Sequence, residues 1–170
     1  MQDCEPKSSS VSRRQFLKNS SLVAASAAAA VNFPAILHAQ AKQPLKAVIV
    51  GMGGRGGGAG ENFLEAAKTV GAEAKIVAVA DIFPEQAAGG MKSFGLPADK
   101  CFSGFDAFQK ALTEPGVNYA ILATPPGFRA SHFKAATEAG KHVFMEKPVA
   151  VDGPGCRLMY ETAELSKQKG

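Results

Sequence analysis

From Leu45 onward, short apolar runs alternate with longer stretches of mixed polarity. Leu45–Val50 (LKAVIV) is rich in β-branched residues and ends in a glycine cluster, which predicts a strand. A helix is expected over roughly 60–70. Lys75–Ala80 (KIVAVA) predicts a second strand, closed by Asp81. Pro84–Phe94 reads as one helix with proline in its first turn. Cys101–Phe102 suggests a short strand, and Phe105–Leu112 a helix. Tyr119–Ala123 (YAILA) predicts a strand closed by Thr124-Pro125-Pro126. Phe128–Ala139 reads as a helix stopped by Gly140, a residue suited to a C-cap. His142–Met145 (HVFM) predicts a short buried strand, and Pro154–Lys167 a last helix with Asp152 as N-cap.

Strands that alternate with helices of ten to fifteen residues imply βαβ units and a parallel sheet. Strands that are apolar almost throughout fit a sheet covered on both faces. The fold class expected is therefore α/β, a doubly wound parallel sheet.

Composition narrows the function. Hydrophobic residues at 46% and charged residues at 20% describe a globular protein. The net charge of +4 is partly a property of residues 1–41, which carry four basic and two acidic side chains. The remainder is close to neutral and has no basic cluster with interleaved aromatics, so no nucleic-acid partner is expected. Cys4, Cys101 and Cys156 show no metal-ligand spacing and no CxxC, so neither zinc nor a disulfide framework is indicated. Cys101 and Cys156 are read as packing residues.

The first forty-one residues read as an address. Ser12-Arg13-Arg14-Gln15-Phe16-Leu17-Lys18 precedes an uncharged, alanine-rich run over 19–37, and Ala39-Gln40-Ala41 offers a small-x-small cleavage site. Basic, apolar and small segments in that order form a secretory signal, and the paired arginines mark the twin-arginine subtype. The competing reading is a membrane anchor. Asn32 and Pro34 interrupt the run, which makes it a poor permanent span. A periplasmic location is expected, with the mature chain beginning near Lys42.

Gly51-Met52-Gly53-Gly54-Arg55-Gly56 is G-x-G-x-x-G placed between the first predicted strand and the first predicted helix. The first glycine makes the tight turn, the second lets the backbone approach a pyrophosphate, and the third lets helix and strand pack closely. The helix N-terminus adds free N–H groups and a positive dipole end. In this context the loop indicates a Rossmann-type dinucleotide site; the competing reading is a flexible glycine turn. Asp81 lies twenty-five residues beyond Gly56, at the end of the second strand. Its carboxylate would accept from ribose hydroxyls and repel a 2′-phosphate. Neither Ile82 nor the residues just after it offers a basic group to welcome that phosphate, so NAD is favoured and NADP is the alternative. Arg55 could reach either phosphate. Asp81 could also be an ordinary strand-ending turn residue.

The stretch Gly140–Val149 (GKHVFMEKPV) carries the remaining chemistry. A strand over 142–145 would deliver Glu146, Lys147 and Pro148 at the carboxyl end of a sheet, where ligands bind in open α/β folds. Pro148 restricts Lys147 to extended geometry and permits a cis peptide bond. A lysine there could hold phosphate or hydroxyl groups, or relay a proton if burial lowers its pKa. An exposed strand end with ordinary surface charges is the plain alternative.

With GMGGRG, VADIFPE, ATPPGFR and AGKHVFMEKPVA in this order, the chain resembles the glucose–fructose oxidoreductase, inositol dehydrogenase and rhizopine-catabolism (Gfo/Idh/MocA) family over Leu45–Gly170. The resemblance implies that the loop from Gly51 through Met52, Gly53, Gly54 and Arg55 to Gly56 binds the dinucleotide, with Asp81 and Ile82 at its ribose. It implies that Thr124, Pro125 and Pro126 lie beneath the nicotinamide half, and that Glu146 and Lys147 match the family's EKP. Lys147 would be the catalytic residue, assisting proton transfer while a hydride passes between a sugar or polyol carbon and nicotinamide. Arg129 stands where many members carry histidine, and His132 one turn later reads as a helix-surface residue. Family members continue into a large α+β domain that supplies the substrate pocket and the oligomer face. This sequence ends before that domain would begin. The expectation is thus a truncated, nucleotide-binding part that binds cofactor weakly, with sugar or polyol turnover and homo-oligomer formation reserved for a longer form. An NAD-dependent glycoside hydrolase and a non-catalytic nucleotide-binding fragment are the rival functions.

Overall fold

A computed structural model describes residues 43–170. Five strands form one sheet in the order β3-β2-β1-β4-β5: β1 (Leu45–Val50), β2 (Ala74–Asp81), β3 (Cys101–Ser103), β4 (Tyr119–Leu122) and β5 (His142–Met145). Every neighbouring pair is parallel. The chain runs outward from β1 through β2 to β3, then returns to β4 on the other side of β1 and continues to β5. The strand order therefore reverses between β1 and β4, which is where open parallel sheets form their ligand crevice.

The helices are α1 (Gly54–Thr69), α2 (Pro84–Ala87), α3 (Gly89–Phe94), α4 (Ala107–Leu112), α5 (Pro126–Glu138) and α6 (Gly153–Lys169), with a short 3₁₀ turn at Ala98–Lys100. Side chains alternate across a strand, so β1 feeds two cores. Val48 and Val50 join Ala78, Ala80, Leu122, Leu112, Phe133 and Ala136 on one face. Ala47 and Ile49 join Val79, Ile121, Met52, Ala59 and Leu96 on the other. Apolar residues on both faces of β1 thus bury on both sides, which explains the continuous apolar run Ala47–Val50.

Four details differ from the sequence expectation. The first helix starts at Gly54 rather than near Gly60. Glycine is a weak helix former, but Gly56 and Gly60 lie against the Gly51 carbonyl, Ile49 of β1 and Phe94, where larger residues would not fit, whereas Gly54, Gly57 and Gly58 have room around them. The segment expected as one helix over 84–94 breaks at Ala88, the last residue capping α2 and the first capping α3. Strand β5 is an edge strand with alternating exposure, and Phe144 is 42% exposed, so its apolar run does not mark full burial. Cys156 is exposed, not a packing residue, whereas Cys101 is partly buried. The expected caps are present: Asp152 accepts the N–H of Gly155 at 2.7 Å, and Gly140 takes a left-handed conformation after α5.

Candidate functional site

The loops at the carboxyl ends of the strands are laced by backbone hydrogen bonds. The N–H of Gly51 donates to Ala80 O, Ala123 to Val50 O and Glu146 to Leu122 O, at 2.8–3.0 Å. Each loop is thus set by the strand beside it, and together they surround a cleft of about 850 Å³. That is within the range of small-molecule and cofactor sites.

The glycine loop is shaped by contacts that exclude side chains. Gly51 has φ +92°, and a Cβ there would lie 2.7 Å from Thr124 N. A Cβ on Gly56 would lie 1.8 Å from the Gly51 carbonyl oxygen, so helix and turn could not pack. Gly53 is different: nothing lies within 4 Å of its Cβ position. The space above it is open to a ligand, while the first-turn N–H groups of α1 have no helical acceptor. These are the features a pyrophosphate needs: a backbone free of side chains, unpaired donors and the positive end of a helix dipole.

Asp81 ties this loop to β2. Its Oδ2 accepts the N–H of Met52 at 2.7 Å and its Oδ1 accepts the N–H of Phe83 at 3.0 Å. The carboxylate is only partly buried and lines the cleft. It has acceptor capacity left for hydroxyl donors, since an ionised carboxylate offers about four lone-pair positions.

Across the cleft, Arg55 and Glu146 form an ion pair, with Nε donating to Oε1 at 2.6 Å. That hydrogen bond holds the Glu146 carboxyl below its ordinary value. Lys147 is exposed at the rim, and the Lys147–Pro148 peptide bond is cis.

Beneath the rim lie two buried polar groups, Arg129 and His132. Arg129 is 3% exposed, and its guanidinium donates to the carbonyl oxygens of Thr124 and Pro148. It therefore staples the loop after β4 to the loop after β5. Burial pulls its pKa down, opposed by the nearby Glu146 charge. His132 is not a helix-surface residue. It is 9% exposed, shares a 3.1 Å hydrogen bond with Thr124 Oγ1, and packs its ring against Phe108. Desolvation, with Arg129 adding repulsion, lowers its pKa to about 4, so the imidazole is neutral at neutral pH.

Most of the expected site residues meet here. Gly51, Gly53, Gly54, Arg55, Gly56, Asp81, Ile82, Thr124, Pro125, Glu146 and Lys147 all line the cleft. Met52 and Pro126 do not: the Met52 side chain is buried in the core, and Pro126 opens α5. Phe83, Phe105, Phe108 and Phe128 supply apolar wall that no motif signalled. Arg129 and His132 carry a weak signal, because 129, 132, 133 and 136 recur at helical spacing and face the sheet together.

Comparison with known proteins agrees with this geometry. The sequence profile described as "Oxidoreductase family, NAD-binding Rossmann fold" (Gfo/Idh/MocA) matches residues 45–169. An inositol 2-dehydrogenase of Pseudomonas fluorescens is 39% identical over 94 residues, covering 55% of this chain and 26% of that protein. Glycosyl hydrolase family 109 protein 1 of Bacteroides fragilis is 32% identical over 123 residues, covering 70% of this chain and 25% of that protein. Among solved structures, a levoglucosan dehydrogenase in complex with NADH and L-sorbose is 28% identical with a TM-score of 0.57, covering 72% of this chain and 32% of the other. An NAD binding oxidoreductase from Klebsiella pneumoniae, at 23% identity and TM-score 0.60, covers 74% of this chain and 33% of its own and shares the fold. The chain spans about a quarter of the length of the curated relatives it matches. It belongs to the Gfo/Idh/MocA oxidoreductase family, and residues 45–169 are its NAD-binding Rossmann domain.

Proposed function

We propose that this cleft holds NAD for hydride transfer on a sugar or polyol. The observation that carries the reading is the convergence of four separated segments, around Gly53, Asp81, Thr124 and Lys147, on one cleft at the switch point of the sheet. In this arrangement the N–H groups at the start of α1 take the pyrophosphate, and Asp81 takes ribose hydroxyls. Thr124 and Pro125 floor the nicotinamide half. When bound, the dinucleotide supplies the carbon that accepts or returns a hydride. Lys147 lines the same cleft, and in this reading its ammonium would hold the substrate hydroxyl oxygen or move its proton. Exposed as it is, Lys147 gains the desolvation that such a role uses only once the cleft is covered.

NAD is favoured over NADP because Asp81 would face a 2′-phosphate directly. Arg55 is engaged by Glu146, which follows β5 on the opposite side of β1 from β2. Titrating the 170-residue chain with NADH and NADPH, followed by nicotinamide fluorescence, tests this. Tighter binding of NADH is expected; equal binding, or none, would overturn it.

We propose further that residues 1–41 are a twin-arginine signal and that the protein works in the periplasm. Arg13-Arg14-Gln15-Phe16-Leu17 and the small-residue site at Ala39–Ala41 support this, and both lie outside the described residues. The substitution pair R13K/R14K should abolish appearance of the mature form in the periplasmic fraction; unchanged export would reject the signal. No described helix is long and apolar enough to cross a membrane.

Similarity to the family 109 glycosyl hydrolase favours one alternative: transient use of the hydride step to cleave a glycoside. It predicts glycoside cleavage without net NADH, whereas a dehydrogenase accumulates NADH. On either chemistry, turnover is expected to need a substrate-binding domain beyond residues 43–170, as is assembly into oligomers. Cofactor binding with no chemistry even then would leave the non-catalytic reading.

A further inference from the structure

Arg55 and Glu146 are 91 positions apart, yet they meet across the mouth of the cleft. Arg55 stands in the first turn of α1, and Glu146 is the first residue after β5. The Glu146 side chain is 15% exposed and the Arg55 side chain 51%. A half-buried carboxylate therefore stands within one arginine side-chain length of the helix N-terminus. Both residues line the same cleft as Gly53 and Gly54.

This arrangement sets a problem. A pyrophosphate at the start of α1 would be repelled by an unpaired carboxylate at that range, which is within a Debye length at physiological salt. The Arg55 guanidinium is already turned onto Glu146 through Nε and a terminal nitrogen. Resting on the proposed dinucleotide role of the cleft, we infer that Arg55 acts as a shield: it cancels the Glu146 charge for the phosphates instead of serving mainly as their direct ligand. Glu146 in turn fixes the guanidinium at the rim of the glycine loop. The pair thus keeps a carboxylate in the cleft without setting its charge against the anionic cofactor.

The shield and the direct-ligand roles give opposite results in a double-mutant cycle. NADH affinity is measured on the 170-residue chain by fluorescence titration for wild type, Arg55→Met, Glu146→Gln and the double variant. Thermal unfolding is recorded for each to establish that it is folded. Arg55→Met should weaken binding about tenfold, the scale expected when one partner of a close charge pair is removed. Adding Glu146→Gln to it should restore affinity to within about threefold of wild type, because the exposed carboxylate is gone. Glu146→Gln alone should bind at least as tightly as wild type. If the double variant stays as weak as Arg55→Met, Arg55 is a direct phosphate ligand and the shield is wrong. If Arg55→Met binds as wild type does, the pair has no part in cofactor binding and the inference also fails. Wild-type protein that does not bind NADH would instead reject the dinucleotide role itself.

Discussion

Asp81 accepts the N–H of Met52 at 2.7 Å, so the carboxylate that closes β2 also holds the turn that follows β1. One side chain thus joins architecture to recognition. Asp81→Ala should lose the hydrogen bonds from Met52 and Phe83 and destabilise the domain by about 1.5–3 kcal/mol. A fall in Tm of about 5–10 °C is expected by differential scanning fluorimetry. The same variant should narrow the gap between NADH and NADPH affinity. An unchanged preference would remove Asp81 from cofactor discrimination while leaving its structural part intact.

Two glycines of the same loop should respond in opposite ways. Gly56→Ala forces a Cβ to 1.8 Å from the Gly51 carbonyl oxygen, between backbone atoms that cannot swing aside. A loss of about 3 kcal/mol or more in urea unfolding is expected, at the upper end for overpacking. Gly53→Ala meets nothing within 4 Å, and Gly53 has φ −60°, so stability should change by less than about 0.5 kcal/mol. Its methyl group would instead occupy the space offered to the cofactor, and NADH binding should weaken while the unfolding curve stays put.

Arg129 joins two loops from inside the protein, and its replacement tests how far that staple matters. Arg129→Met removes donors from the carbonyls of Thr124 and Pro148 and should cost at least about 2 kcal/mol. Arg129→Lys keeps a charge but not the planar fork that reaches both carbonyls, so it should recover little. Full stability in the lysine variant would show that one donor is enough.

His132 gives the domain a defined acid sensitivity. Its folded pKa of about 4 lies below the unfolded value of 6.5, so the unfolded chain binds the proton more readily between those limits. The stability this histidine allows is complete above about pH 6.5 and declines as pH falls toward 4, by roughly 2–3 kcal/mol. His132→Asn, which retains a polar partner for Thr124, should flatten that part of the stability profile relative to wild type. Carboxylates titrate near the lower limit, and the difference between the two proteins cancels their share. Parallel profiles would show that the ring does not resist protonation.

The strand pattern and the cleft-forming loops were legible because each rests on local chemistry. Val48 through Val50 are apolar on both faces because both faces are covered, and Gly56 is required by the turn at Gly51 just before it, although the contact that requires Gly51 itself comes from Thr124 on a distant loop. Asp81 was legible from its place at a strand end. What was not legible depends on the third dimension. The run HVFM reads alike in a central strand and an edge strand, and only the order of β4 and β5 shows which it is. The glycines among residues 54–58 argue against a helix by propensity, yet the helix begins at Gly54, with Gly56 seated against the Gly51 carbonyl and Ile49 of β1. His132 reads as a surface residue by polarity and Arg129 only as a departure from the family pattern, and their burial follows from the carbonyls and hydroxyl that meet them in space. The aromatic wall of Phe83, Phe105, Phe108 and Phe128 comes from three separate connections and has no sequence spacing to betray it.

The first strand of the sheet is also its central one, and this orders the assembly of the domain. Strand β1 can pair with β2 as soon as α1 has crossed over, but its other edge waits for Tyr119, 69 positions beyond Val50. Such distant pairing carries a large loop-closure entropy and slows folding. During synthesis the half-sheet β1–β2–β3 would therefore emerge with one side of β1 bare, and the domain would close only when β4 docks. Amides of β1 should then be the last to exchange with solvent and those of β3 and β5 among the first, so the order in which the sheet is built would be written in its rates of opening.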